Sequence, residues 1–324
     1  MGTAPLAREV LKALLDSERF EIVGVVSQPD RPAGRKMKLQ PTPVKELAVS
    51  AGLPVIQPEK VRASESLDQL TSWQPDLAVV AAYGQILPKK VLDLPKFGCL
   101  NVHASILPEY RGAAPVQWAV YDRKPESGVT IMKMDAGMDT GDIVSIRKTP
   151  IDPDESSEQL MDRLAVLGGQ LLLDTIDDYV SGAVTPIPQD NNLATHARKI
   201  EKSDSQIDWS RTPEDIKAQV LAFSPWPGSS SSILAGKSDS TSEKASNNSS
   251  VFKVWKVIPH PMDPDWMTAP AGQVVQADKK HVIVRCGIEG ALALEEIQFP
   301  GSRRLPIEAI QSASAFQTGQ QLGS

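Results

Sequence analysis

Cysteine is nearly missing from this chain: there are two, Cys99 and Cys286, among 324 residues. A pair so sparse and so widely spaced excludes a disulfide-built scaffold, and reduced thiols in an intracellular protein are expected. Histidine is almost as scarce. His103, His196, His260 and His281 fall at no metal-ligand spacing, so no zinc or other metal is expected. No apolar run approaches the roughly 20 residues that span a bilayer. Neither a secretory signal nor an Arg-rich transit peptide follows Met1. A net charge of −6 argues against wholesale binding to a polyanion.

What remains is ordinary for a globular protein: 41% hydrophobic and 23% charged residues in a chain long enough for two cores. The first half alternates strand and helix patterns, with strands expected at Phe20–Ser27, Leu77–Tyr83, Cys99–Ala104, Val129–Met134 and Ile143–Lys148. Near-continuous apolar runs such as Leu77–Ala82 suit strands covered on both faces. The expected class is therefore α/β: a Rossmann-like, mostly parallel sheet with helices on both faces. Leu6, Val10, Leu11 and Leu14 form one helical stripe, and Leu160, Leu164, Leu167 and Leu171 another. These stripes are packing.

From Thr185 to Asn192 the chain turns polar and proline-containing, and residues 185–203 read as a linker. A helix is expected at Pro213–Phe223 with Thr212 as its cap. Strand-like pieces at Val251–Ile258, Gly272–Gln276, His281–Cys286 and Ala291–Ile297 then suggest a small β-barrel within residues 204–318. Gly228–Ser250 is rich in Ser, Asn, Lys and Gly, and reads as a disordered insertion in a barrel loop.

The most informative stretch is Asn101-Val-His103-Ala-Ser105-Ile106-Leu107-Pro108, joined by Asp139 in the turn Gly-Met-Asp-Thr-Gly-Asp. Side chains alternate along a strand, so Asn101 and His103 share one face, one pleat apart. An amide donor and a titratable base at the end of a buried strand suit attack of an amine on a carbonyl carbon. Asn101 would hydrogen-bond the oxyanion, His103 would move the proton, and Asp139 would orient the ring. Spacing alone leaves the acyl donor and the acceptor open.

A second local feature is charge. Pro29–Lys45 carries Arg31, Arg35, Lys36, Lys38 and Lys45 against Asp30 alone, and its prolines and glycine mark it as a loop.

The strings Asn-Val-His-Ala-Ser-Ile-Leu-Pro, Arg-Gly-Ala-Ala-Pro, Gly-Val-Thr-Ile-Met and Asp-Ala-Gly-Met-Asp-Thr-Gly-Asp-Ile resemble those of the 10-formyltetrahydrofolate-dependent formyltransferases. The resemblance runs from Gly2 to about Pro306. It implies a formyl donor, 10-formyltetrahydrofolate, leaving as tetrahydrofolate, with Asn101, His103 and Asp139 as the catalytic trio. It implies folate contacts from the Ser105-Ile106-Leu107-Pro108 turn and from the backbone around Tyr83, Gly84, Ile86 and Leu87. The basic stretch resembles the loop of the tRNA-formylating members, which implies initiator methionyl-tRNA as partner, held by Arg31, Arg35, Lys36 and Lys38. The second domain is implied to be OB-like and to help hold that tRNA, with Lys279, Lys280, Arg303 and Arg304 as a basic face. An amino sugar, a purine precursor or water (a hydrolase) remain alternative acceptors.

Members of this family begin with a strand leading into Gly-Thr-Pro, whereas here Met1 directly precedes Gly2-Thr3-Ala4-Pro5. The catalytic domain, residues 1–184, is thus expected to lack its first strand, and the natural start to lie upstream. A monomer is expected, in the cytoplasm of a bacterium or in a mitochondrion or plastid of a eukaryote.

Overall fold

The structure, a computed structural model, describes residues 1–33, 38–234, 250–287, 290–311 and 315–323. The chain forms two compact units. The first comprises Met1–Val116, Pro125–Ile151 and Gln159–Arg198, and the second Gln117–Lys124, Asp152–Glu158 and Lys199–Ser324.

In chain order the first half runs α1 (Pro5–Asp16), β1 (Val25–Val26), β2 (Arg31–Ala33), β3 (Lys38–Gln40), α2 (Pro43–Ser50), β4 (Val55–Ile56), α3 (Ser64–Ser72), β5 (Ala78–Val80), α4 (Lys89–Leu92), β6 (Cys99–His103), β7 (Arg111–Gly112), α5 (Pro115–Tyr121), β8 (Glu126–Lys133), β9 (Ile143–Pro150), α6 (Ser157–Ser181) and β10 (His196–Ala197). Strand β1 pairs in parallel with β4, and β5 in parallel with β6; β6–β8 and β8–β9 are antiparallel. The sheet is parallel on its early side and antiparallel beyond β6.

Two residues join the early strands. The Gly2 N–H donates to Val26 O at 2.9 Å, the Ala81 N–H donates to Met1 O at 3.0 Å, and Gly2 bridges Ala81 in parallel. The expected gap between β1 and β5 is therefore partly filled by a two-residue stub. Beside it lies a cavity of about 150 Å³ lined by Met1, Val10, Val26, Trp73 and Val79 among others.

Helix α1 starts with Pro5 in its first turn, where a missing N–H costs nothing. It buries Leu6, Ala7, Val10, Leu11 and Leu14, the stripe read from the sequence plus one alanine. Helix α6 approaches the sheet closely because Gly168 has no side chain: a Cβ there would sit 2.8 Å from Val102 Cγ1. Val102 lies between Asn101 and His103, so α6 backs the strand that carries them.

The second unit contains α7 (Pro213–Ala222), β11 (Ser229–Ile233), β12 (Ser250–His260), β13 (Val274–Ala277), β14 (Val282–Cys286), β15 (Gly290–Gln298), β16 (Leu305–Pro306), α8 (Ile307–Gln311) and β17 (Leu322–Gly323). The strands follow the order β13-β14-β15-β12-β11-β17, with β16 on β15, and every pairing is antiparallel. Gln273 bridges Gln321, and Leu322 N–H donates to Gly272 O at 2.8 Å, so the two ends of the sheet meet in a nearly closed barrel. Its core includes Phe252, Val284, Leu294, Ile297 and Phe316. Thr212 caps α7 through the Asp215 N–H, as its sequence position suggests.

Three expectations are corrected. Residues 185–198 are not a free linker: Ile187 and Ile143 exchange backbone bonds of 2.8 Å in both directions, and β10 pairs in parallel with β7. Polar composition hid tertiary hydrogen bonds. The early part of Gly228–Ser250 is ordered as β11, where Ser231 Oγ accepts from Trp209 Nε1 at 3.0 Å and donates to Gly323 O at 2.7 Å. Residues 235–249 of that stretch lie outside the described residues. The Phe20–Ser27 strand shrinks to Val25–Val26, which register with Val55 and Ile56.

Candidate active site

Strand β6 has neighbours on both edges, Asn101 registering with Val80 and Met132, and His103 with Thr130. All five of its residues are buried. Asn101 and His103 nonetheless keep 8% and 6% of their surface at the strand's end. The alternation of strand side chains puts both on one face.

The histidine is held in one tautomer. Its Nε2 lies 3.0 Å from Tyr110 O. A carbonyl only accepts, so Nε2 carries the proton and the neutral ring presents Nδ1 as a base. Nδ1 faces Asp139 Oδ1 at 3.8 Å. That is too long for a direct hydrogen bond yet close enough to match a charge on the ring. The other carboxylate oxygen, Oδ2, accepts from the Gly112 N–H at 2.9 Å. Asp139 itself sits at φ 54°, in the left-handed region that Asp tolerates better than most residues. Gly112 at φ 117° meets β10 so closely that a Cβ would lie 2.7 Å from Ala197 O.

Behind this pair lies a second ring of contacts that composition and spacing did not reveal. Arg111, 4% exposed, donates through Nε and Nη2 to Gln189 Oε1 at 3.0 and 2.8 Å, and through Nη2 to Asn191 Oδ1 at 2.9 Å. Gln189 Nε2 donates to Asp139 O at 2.9 Å and to Gly141 O at 2.7 Å. The signals available were Arg111 inside the Arg-Gly-Ala-Ala-Pro string and a lone Gln in a stretch that read as linker.

The Ser105–Pro108 turn is clamped by fully buried Thr130, whose hydroxyl accepts from the Leu107 N–H at 3.1 Å and donates to Ser105 O at 2.7 Å. Ser105 and Leu107 point inward, leaving Ile106 and Pro108 half-exposed. Around Tyr83–Leu87 the expected contacts divide. Tyr83 and Leu87 belong to the apolar core, while Gly84 is exposed and Ile86 is 82% exposed. The Tyr83 carbonyl is already engaged by Thr3 Oγ1 at 2.9 Å, and burial pushes its phenol up to about 12. The Tyr83 and Leu87 side chains thus pack inward, and the contacts expected of this stretch are those of its backbone.

The basic stretch is a β-hairpin rather than an irregular loop, Arg31 opposing Gln40 and Ala33 opposing Lys38. Arg35 and Lys36 lie outside the described residues. Arg31 pairs with Glu59 at 3.2 Å, and Lys45 lies on α2, bound to Asp30 at 2.6 Å. Lys38 is exposed. In the second unit Arg304 pairs with Glu296 and stacks 5.3 Å over the Trp255 ring. Among the described residues no three His, Cys, Asp or Glu side chains gather as a metal site, and no helix is long and apolar enough to cross a membrane.

Comparisons with known proteins bear on this geometry. Residues 1–176 match the formyl transferase family model, and residues 199–314 match the model of the formyl transferase C-terminal domain. A methionyl-tRNA formyltransferase of Geobacter sulfurreducens is 40% identical over 323 residues, spanning 100% of this chain and 95% of that protein. One from Citrifermentans bemidjiense is 42% identical over 324 residues, again with 100% and 95% covered. Among solved structures, the sugar 3N-formyl transferase WlaRD superposes with a TM-score of 0.63 at 18% identity, covering 93% of this chain and 97% of its own. An N-formyltransferase from Helicobacter canadensis gives 0.60 at 17%, covering 92% and 97%. These last two show likeness of fold.

Proposed function

The chain belongs to the formyl transferase family, and from that premise we propose that it transfers a formyl group from 10-formyltetrahydrofolate to the α-amine of methionyl-initiator tRNA. The observation that carries the reading is the tautomer. Tyr110 O fixes the proton on His103 Nε2 and leaves Nδ1 as the free base beside Asp139. Identity of about 40% along the whole length to proteins named for this reaction supports the acceptor.

In the proposed reaction the neutral amine attacks the formyl carbon, forming a C–N bond and a tetrahedral oxyanion. Asn101 donates a hydrogen bond to that oxygen, an interaction that strengthens as charge develops. His103 Nδ1 takes the amine proton, directly or through a water held by Asp139, and the carboxylate matches the charge then on the ring. The proton returns to N10 of folate as the C–N10 bond breaks, releasing tetrahydrofolate and the formamide. The backbone around Tyr83, Gly84, Ile86 and Leu87 and the Ser105–Pro108 turn are the proposed folate contacts. Arg31, Arg35, Lys36 and Lys38 are the proposed phosphate contacts, and such contacts make binding salt-sensitive.

The test is transfer of label. The protein is incubated with formyl-labelled 10-formyltetrahydrofolate and methionyl-tRNA, beside a nucleotide-linked amino sugar and buffer alone. Label on the methionine nitrogen is expected. Label on the sugar, or free formate without any amine, contradicts the reading.

A further inference from the structure

Gln189 is tied to both halves of the His103–Asp139 pair although it touches neither reacting group. Its side chain uses its full hydrogen-bonding capacity. The two Nε2 hydrogens go to Asp139 O and Gly141 O, at 2.9 and 2.7 Å, and Oε1 accepts twice from Arg111, at 3.0 and 2.8 Å. The amide orientation is dictated by chemistry. Guanidinium groups only donate and carbonyls only accept, so the nitrogen must face the turn and the oxygen must face Arg111.

The turn needs such an anchor. Residues 136–138 are exposed, Met138 at 64%, and Asp139 holds a left-handed φ of 54°. Within the turn, Asp135 Oδ1 accepts from the Gly137 N–H at 2.9 Å and from Thr140 Oγ1 at 2.7 Å. Those bonds stabilise the tip and leave the direction of the Asp139 carboxylate unset. An exposed turn with few apolar contacts samples other conformations unless something outside it holds it.

Gln189 supplies that hold from a segment 50 residues further on. Its other partner, Arg111, lies between Tyr110, whose carbonyl sets the His103 tautomer, and Gly112, whose N–H binds Asp139 Oδ2. The same segment is fixed from the far side by Thr195, whose hydroxyl accepts from the Tyr110 N–H at 2.8 Å. One amide therefore joins the Tyr110–Gly112 segment, whose Tyr110 carbonyl holds the imidazole of β6, to the turn that brings the carboxylate. We propose that Gln189 is a positioning residue for formyl transfer, setting the Asp139 carboxylate against His103. This rests on the proposed reaction and on the role of Asp139 in it.

Two variants separate positioning from bulk stability. Gln189→Glu keeps the length and the acceptor for Arg111 but turns a donor of two hydrogen bonds into an acceptor facing two carbonyls. Gln189→Met removes both functions. Displacement of a reacting group by about 1 Å costs on the order of 10²-fold in rate. The expected result for Gln189→Glu is a loss of that size in kcat, with KM for both substrates within threefold of wild type. Amide hydrogens of residues 137–142 should exchange at least tenfold faster, and those of β6 should not. If Gln189 acts through Asp139, Gln189→Glu adds no further loss on an Asp139→Asn background.

The inference is overturned if exchange in the turn is unchanged, if the loss lies in KM, or if the two losses multiply. Asp139→Asn with impaired kcat beside a fully active Gln189→Glu refutes the inference and leaves the reaction standing. A fully active Asp139→Asn removes Asp139 from the reaction and the inference with it.

Discussion

Replacing Thr130 with valine changes one oxygen for one methyl at a position with no solvent exposure. The shape is kept, so the effect isolates the hydroxyl. Two bonds vanish: the one from the Leu107 N–H at 3.1 Å and the one to Ser105 O at 2.7 Å. Each buried polar group left without a partner costs about 1–3 kcal/mol, and the added methyl returns about 1 kcal/mol. The net loss is therefore roughly 1–5 kcal/mol, concentrated in the Ser105–Pro108 turn. If that turn holds folate, a comparable share appears in binding, and about 2 kcal/mol is roughly a 30-fold rise in Kd. Calorimetric titration with tetrahydrofolate measures the affinity, and urea denaturation measures the stability. Thr130→Ser, which keeps the hydroxyl, is expected to bind within a few-fold of wild type. Thr130→Val with wild-type affinity and stability within about 0.5 kcal/mol refutes the clamp, since surface-like tolerance is incompatible with two orphaned buried groups.

Gly112→Ala forces a Cβ to 2.7 Å from Ala197 O at a φ of 117°, so thermal denaturation should show a loss of roughly 1–3 kcal/mol with impaired turnover. Burial pushes the Cys99 thiol up to about 11, so the folded state keeps it protonated after the unfolded thiol ionises. Stability should thus fall as pH rises from near 9 to about 11, by roughly 2–3 kcal/mol, and Cys99→Ala should flatten that limb in denaturation curves collected across pH. Lys38→Ala should weaken tRNA binding evenly across sequences and lower the slope of log Kd against log salt by about 1. A filter-binding series at several salt concentrations reads it directly.

Sequence pattern went far where local chemistry and tertiary contacts agree. The Cys99–His103 strand was readable because a short apolar run bounded by turn residues carries two polar groups at alternate positions. The α1 stripe and the Thr212 cap were readable for similar reasons. The parallel–antiparallel switch beyond β6 was not, because pairing direction is set by connections rather than composition. Gln189 was hidden for another reason: its four hydrogen bonds run to residues 48 to 78 positions away, and a polar, proline-containing segment looks the same whether solvated or clamped. The side-chain directions of Tyr83 and Leu87 also needed the fold, since the motif text is silent on which faces turn inward.

The most direct test of the account is the single-turnover rate of formyl transfer by Asn101→Ala at saturating 10-formyltetrahydrofolate and methionyl-tRNA. Loss of one oxyanion donor predicts a fall of about 10²–10³-fold, with folded structure and substrate affinity retained. A rate within threefold of wild type contradicts the assignment of β6 as the seat of the chemistry.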